Sequence, residues 1–427
     1  MRNVLWFLAL FALAAGVALF AGNNQGTVTL FWPPHRIDLS LNLVLLLLMA
    51  AFVLLYAALR GLAVLLALPD EARRWRMRHQ ERVLQQGLLD ALSHLTAGRY
   101  IRARKAAEHV LAQTEALTNA EQGLPYGGRL AAMAHLLAAE CSHALQDRSA
   151  RDEHARQALV LTQSRRRDEL EIREGVQLRV ARWAFDDRDV QAALQRLDEL
   201  PQGVARRTLA LRLRLRVTRL AGQSRAALET ARLLGKHRAF SETASRSIVR
   251  GLATEWLRNS HDPAQLHKAW TQLDETERRM PEVALQAGER MLALGGDFAL
   301  VQQWLLPVWE QLVRPSSTLP QELRLRLVLL LERGFNQTPG QPDVAWLARI
   351  ESAQMGNPRE ALLQYLAGIA CMHLSLWGKA QQLLRQSLTQ LADETLRRRA
   401  WAALARMAEQ RDDSAGALEA WRQAARS

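Results

Sequence analysis

Cysteine is nearly absent, with only Cys141 and Cys371 in 427 residues. That excludes a disulfide framework as the organising feature and fits a reducing compartment. Lysine is almost as sparse, at positions 105, 236, 268 and 379, so the formal net charge of +13 rests on arginine. The signatures of reaction chemistry are missing too. There is no Gly-x-x-x-x-Gly-Lys-Ser/Thr cradle, no Gly-x-Gly-x-x-Gly after a strand, no Gly-x-Ser-x-Gly and no His-Glu-x-x-His. Paired carboxylates such as Glu169/Glu171 and Asp186/Asp187 fall in helix-end charge runs and read as solvated faces and caps. No enzyme, catalytic residue or metal site is expected. No aromatic-interleaved strand, zinc module or recognition helix accompanies the positive charge, so no nucleic-acid partner is expected either.

What is present begins with oil. Val4 to Ala21 has no charged or strongly polar side chain, and as a helix it would be about 27 Å long, near the thickness of a bilayer core. A second run starts at Leu43, passes a single Arg60 and ends at Pro69, predicting spans of about 4–21 and 43–68. Two such runs this close read as a transmembrane hairpin, because only a helix satisfies its own backbone in lipid. The first run is too long for a signal-peptide core, and Leu19 and Phe20 stand where a cleavage site needs small residues.

Charge orients the hairpin. The loop from Gly22 to Ser40 carries Arg36 against Asp38, whereas Arg60 to Lys105 is strongly basic. Both termini are therefore expected in the cytoplasm. Arg73, Arg74, Arg76, Arg78 and Arg82 form a basic cluster expected to face anionic lipid, at roughly 1 kcal/mol per residue near the surface. In the loop, Thr27 to Phe31 and Arg36 to Leu39 have short β-like runs broken by Pro33-Pro34. They predict a small hairpin on the outer face, with Phe31 and Trp32 at headgroup level.

Residues 70–427 change to one repeated theme, apolar Ala-rich helical runs separated by short breaks. An amphipathic helix over Arg73 to Leu95 is expected first, then Ile101 to Leu117. Pairs follow at 127–145 with 151–163, 168–185 with 190–200, and 205–220 with 223–234. Small residues recur at tetratricopeptide positions: Gly98 and Gly222 at 15, Ala103, Ala193, Ala227, Ala380 and Ala417 at 20, Ala181, Gly368 and Ala405 at 8. The array is degenerate and fits poorly near 236–345, with candidate boundaries at 236–262 and 314–345. The fold class expected is all-α: a two-helix transmembrane hairpin (1–69) followed by a cytoplasmic tetratricopeptide-like α-solenoid (70–427). Such pairs cannot bury their apolar faces alone, so they stack, and Trp377, Trp401 and Trp421 are expected to be packing wedges. The surface they expose predicts a peptide or protein partner.

Both cysteines sit in Cys-x-His triplets, Cys141-Ser142-His143 and Cys371-Met372-His373. Residues two apart on a helix point about 200° from each other, so neither pair closes on one metal. His143, Cys371 and His373 are the candidates for haem ligands, and no cofactor is otherwise expected.

The order of features resembles the HemY proteins of proteobacteria. It rests on the first span, the Gly26-Thr27-Val28-Thr29-Leu30 and Ile37-Asp38-Leu39-Ser40 loop, the long second span and the basic helical pair from Arg73 to Lys105. The resemblance is strongest over residues 1–140. It implies an inner-membrane protein with a cytosolic repeat domain, acting in late porphyrin or haem metabolism. Partners would be haem-pathway enzymes held on a scaffold. A porphyrin carrier or sensor and a general envelope adaptor remain the alternatives.

Overall fold

The computed structural model describes residues 26–119, 126–163, 167–314, 319–337 and 344–426, with the isolated residues 14, 16 and 22. The first expected span, 4–21, therefore lies outside the described residues almost entirely. Two compact units divide the chain, Met1–Arg173 and Glu174–Ser427.

The first unit opens with a hairpin of β1 (Thr27–Trp32) and β2 (His35–Ser40), joined by the two-residue turn Pro33-Pro34. Antiparallel pairing sets Leu30 opposite Ile37 and Val28 opposite Leu39. Side chains on a strand alternate, so Val28, Leu30, Trp32, Ile37 and Leu39 share one face. The opposite face carries Thr27, Thr29, Phe31, Arg36 and Asp38, with the Arg36 guanidinium 5.4 Å over the Phe31 ring. The expected loop hairpin is thus present, but Phe31 and Trp32 point to opposite sides.

Ser40 ends the hairpin and caps the next helix, its hydroxyl accepting from the Leu43 N–H at 3.3 Å. That helix, α1, runs unbroken from Leu41 to Thr96, 56 residues. The sequence predicts a stop at Pro69 and a separate helix from Arg73; the chain instead continues through. An interior proline removes one hydrogen bond, a cost of about 3 kcal/mol. Apolar residues on one side and helix-favouring Arg, Gln and Glu on the other offset it. Within α1, Leu41–Ala63 has a mean hydropathy of 2.5 and no part of it is buried. Among the described residues it is the one helical segment long and apolar enough to cross a membrane.

The far end of α1 packs on α2 (Tyr100–Asn119), then α3 (Gly127–Ala144) and α4 (Arg148–Leu161) follow. Leu84, Ala91, Ala103, Ala107, Val110 and Ala134 are buried between them. Contact is close: a Cβ on Gly87 would sit 2.7 Å from Val110.

The second unit takes in most of α5 (Arg167–Asp186), α6 (Val190–Asp198), the single turn α7 (Gln202–Ala205), α8 (Thr208–Leu220) and α9 (Ser224–Lys236). The helix expected over 205–220 is broken, beginning at Thr208. Then come α10 (Glu242–Arg258), α11 (Pro263–Thr271), α12 (Glu275–Arg278), α13 (Pro281–Ala293), α14 (Phe298–Val313), α15 (Gln321–Gln337) and α16 (Val344–Gly356). The chain closes with α17 (Ala361–His373), α18 (Trp377–Leu388), α19 (Glu394–Glu409) and α20 (Ser414–Arg426).

One turn joins the two helices of most pairs. Gly98, Gln146, Arg188, Gly222, Arg238, Gly295, Ser375 and Asp412 all have positive φ, between 51° and 71°. In each case the following residue donates its N–H to the carbonyl five residues back, at 2.8–3.0 Å. This is the Schellman stop, which satisfies carbonyls a helix end leaves orphaned. Asp147, Asp189 and Asp297 then cap the next helix with their carboxylates.

Small residues sit where the helices touch. Ala181, Ala193, Ala380 and Ala405 are fully buried, and a Cβ on Gly368 would lie 2.8 Å from Leu384 Cγ. The stretch near 236–345 that fits the repeat poorly is packed differently. Trp270 stacks on Trp304 at 4.8 Å and Trp309 meets Trp346 edge-on at 5.6 Å, so bulky rings replace alanines. Arginine–carboxylate forks tie helices that are not neighbours in the chain: Arg232 of α9 to Glu277 of α12 at 2.8 and 2.6 Å, Arg326 of α15 to Glu289 of α13 at 2.9 and 2.8 Å. Trp377 and Trp401 pack against this core as expected, whereas Trp421 is 41% exposed and donates its Nε1–H to Glu409 at 2.7 Å. It lies where its helix meets water, not between helices.

Candidate functional site

The candidate haem ligands are not assembled into one place. His143 ends α3 in the first unit, its Nδ1 3.4 Å from Arg151 Nη1. Cys371 and His373 end α17 in the second unit and diverge as their spacing dictates. The buried Cys371 thiol points at Glu351 of α16, 4.0 Å away, an acid already bound by Lys379 at 2.7 Å. His373 Nε2 lies 3.0 Å from Asn336 Oδ1 of α15. Burial lowers the pKa of His373, with the Arg406 charge adding to the effect, so its imidazole is neutral at physiological pH. Among the described residues no group of three or more His, Cys, Asp or Glu side chains could hold a metal ion.

Of the basic cluster, Arg78 and Arg82 lie one turn apart on α1 and are exposed. The side chains of Arg73, Arg74 and Arg76 lie outside the described residues.

Two arrangements were not predicted. The first joins α3 to α4 through His135 and His154, whose Nδ1 atoms are 3.0 Å apart. Burial pushes the His135 pKa down to about 4, and the neighbouring His154 acts in the same direction. The His154 pKa is also lowered, chiefly by burial, against the opposing pull of Glu108 and Asp147. Neutral rings can share one N–H···N bond, whereas a second proton would set two donors face to face. Arg104 closes the polar side, donating to Asp147 at 3.2 Å. Cys141 is buried on the same helix as His135, and desolvation pushes its thiol up to about 11. A thiol so shifted stays protonated at neutral pH and is a poor nucleophile. Nineteen residues separate the two histidines, and no local pattern announces them.

The second is the solvent face of α8. Arg212, Arg216 and Arg219 are exposed there, and Leu209 and Leu220 are 64% and 57% exposed. The remaining side of α8 is buried through Ala210, Leu211, Leu213, Leu215, Val217 and Thr218. A signal was present in the sequence: residues 200–228 hold seven arginines and no acid.

Residues 26–146 match the family model described as the HemY protein N-terminus. No curated protein matches the chain. Among solved structures, the P58(IPK) TPR domain is 13% identical, with 77% of this chain and 99% of that one covered and a TM-score of 0.22. The Cut9–Hcn1 hetero-tetramer of the APC/C is 14% identical, covering 79% and 65%, with a TM-score of 0.27. Naa15/Naa10 bound to HypK is 12% identical, covering 83% and 66%, with a TM-score of 0.25.

Proposed function

We propose that this chain, whose residues 26–146 match the HemY protein N-terminus, is a HemY-type protein and acts as a membrane-tethered, non-catalytic adaptor of late haem biosynthesis. Its helix pairs bind pathway enzymes and hold them at the bilayer. The observation that carries this reading is α1. One end, Leu41–Ala63, offers an apolar surface that no protein covers, and the other end is built into the first helix pair. A domain fused to its anchor by continuous helix is held at the membrane surface. A partner bound there meets membrane substrates at a raised effective concentration, which matters when intermediates dissolve poorly in water.

In this reading residues 4–21 form a second span, both termini lie in the cytoplasm of the inner membrane, and the β-hairpin sits on the outer face. Arg78 and Arg82 then face anionic headgroups. The protein carries no cofactor of its own, and its work is done by surfaces.

Crosslinking in intact membranes, with the full-length chain as bait and recovery by mass spectrometry, tests this. Ferrochelatase or protoporphyrinogen oxidase is expected among the captured proteins. Recovery of secretion or cell-wall machinery in their place would overturn the haem-pathway assignment.

A further inference from the structure

We propose that the solvent face of α8, with the cleft beside it, is a docking site for an extended acidic segment of a partner protein. This rests on reading the helix pairs as a partner-binding array and names the chemistry that array recognises.

The face is defined by helix geometry. At about 100° per residue, positions 209, 212, 216, 219 and 220 fall within one arc of the helix. The occupants are Leu209, Arg212, Arg216, Arg219 and Leu220, a row of three guanidinium groups with an exposed leucine at each end. Several exposed arginines on other helices are neutralised by acids of their own helix, as Arg225 is by Glu229 and Arg246 by Glu242. On α8 that cannot happen, because residues 200–228 contain no Asp or Glu. Neither Arg216 nor Arg219 pairs with any acid among the described residues.

Arg212 is held in place. Its Nη2 donates to the Ala239 carbonyl at 2.8 Å, and its guanidinium lies 5.6 Å over the Phe240 ring. Phe240 in turn lines a cleft of about 680 Å³ with Lys236, Arg238 and Arg246. In that cleft Arg232 is taken by Glu277 and Asp274 and Arg246 by Glu242, whereas Lys236 and Arg238 are exposed and have no acidic partner among the described residues. The row and the cleft thus share Phe240 as a wall, and five cations border one surface with Phe240 and the leucines as its apolar ground.

Spacing and chemistry select the ligand. Arg212 and Arg216 are separated by about 6 Å along the axis at ~1.5 Å per residue, close to the ~6.6 Å between alternate side chains of an extended strand. Guanidinium forks match carboxylates. Leu209 and Leu220 favour an apolar residue at each end of such a segment. Single-stranded nucleic acid would also bring spaced anions, but Phe240, the ring beside the row, already has the Arg212 guanidinium over it.

The test is fluorescence anisotropy with the full-length protein in nanodiscs of zwitterionic lipid and a labelled heptapeptide, Leu-Glu-Ser-Glu-Ser-Glu-Leu. Binding is expected, weakening as salt rises, with none for the matching peptide in which Gln replaces Glu. Replacing Arg216 and Arg219 together by Ala should weaken it about tenfold, the ~1.4 kcal/mol that two exposed charge contacts supply. Arg225→Ala, in the same acid-free stretch but already paired, should leave it unchanged. An Arg216/Arg219 double variant that binds as well as wild type overturns the proposal, as does tighter binding of a dT oligonucleotide through the same two arginines. If that variant still captures its partners by crosslinking in membranes, the α8 site is wrong and the adaptor reading stands. If the heptapeptide binds as expected but no haem-pathway enzyme is ever captured, the reverse holds.

Discussion

Among the described residues, eight with positive φ end a helix, and only three of them are glycine. The left-handed region costs an L-residue roughly 1–2 kcal/mol, so Gln146, Arg188, Arg238, Ser375 and Asp412 are held there by the two backbone bonds of the turn. Glycine avoids that cost but loses more entropy on folding. Arg188→Gly is therefore expected to stabilise the second unit by about 0.5–1 kcal/mol, and Gly222→Ala to destabilise it by about 1–2 kcal/mol. Thermal unfolding followed by far-UV circular dichroism reads both, and a neutral Gly222→Ala would contradict the assignment of strain to these turns. The same comparison explains what sequence could reveal. Gly98 and Gly222 advertise their turns, and the buried alanines at 181, 193, 380 and 405 advertise the helix contacts. Arg188 and Asp412 advertise nothing, because the conformation is imposed by neighbours in the chain and not by the residue.

Between elements, sequence legibility follows how local the cause is. The β-hairpin was readable because alternation and Pro33-Pro34 are contiguous. The passage of α1 through Pro69 was not, since the penalty at one residue is outweighed by propensity summed over both flanks. The region near 236–345 hid its repeats because Trp270, Trp304, Trp309 and Trp346 fill space that alanine contacts close elsewhere. Least visible was the His135–His154 contact that pins α3 to α4. Its folded-state pKa of about 4 for His135 lies below the ordinary 6.5. Above pH 6.5 both folded and unfolded chains leave this ring neutral, and stability is unaffected. As pH falls from 6.5 toward 4 the unfolded chain takes up a proton that the folded one refuses, so stability is lost. On His154, whose pKa is also lowered chiefly by burial, Glu108 of α2 and Asp147 at the turn oppose the shift and Arg104 of α2 supports it. Allowing for partial solvent screening, the loss should be about 1–2 kcal/mol. The melting temperature is expected to drop between pH 7 and pH 5 and to drop less in His135→Gln; parallel curves for the two proteins would contradict this.

At the level of the whole molecule, the two ends of the chain ask for different solvents. Leu41–Ala63 exposes leucine, valine, phenylalanine and methionine on every side, a surface that water penalises at roughly 25 cal/mol per Å². The helices after it bury their apolar faces against one another and expose arginine and carboxylate. A chain built this way is stable where oil and water meet, and the adaptor function proposed above depends on its staying there. Sequence alone made that division plain, because an apolar run of such length needs no tertiary information to be recognised. Which face receives the partner was not plain, since it depends on which charges find mates across helices. The tether is therefore the claim on which the rest depends. Alkaline carbonate extraction of membranes containing the full-length protein tests it most directly. The chain is expected to remain with the bilayer pellet; its release into the supernatant would contradict the account.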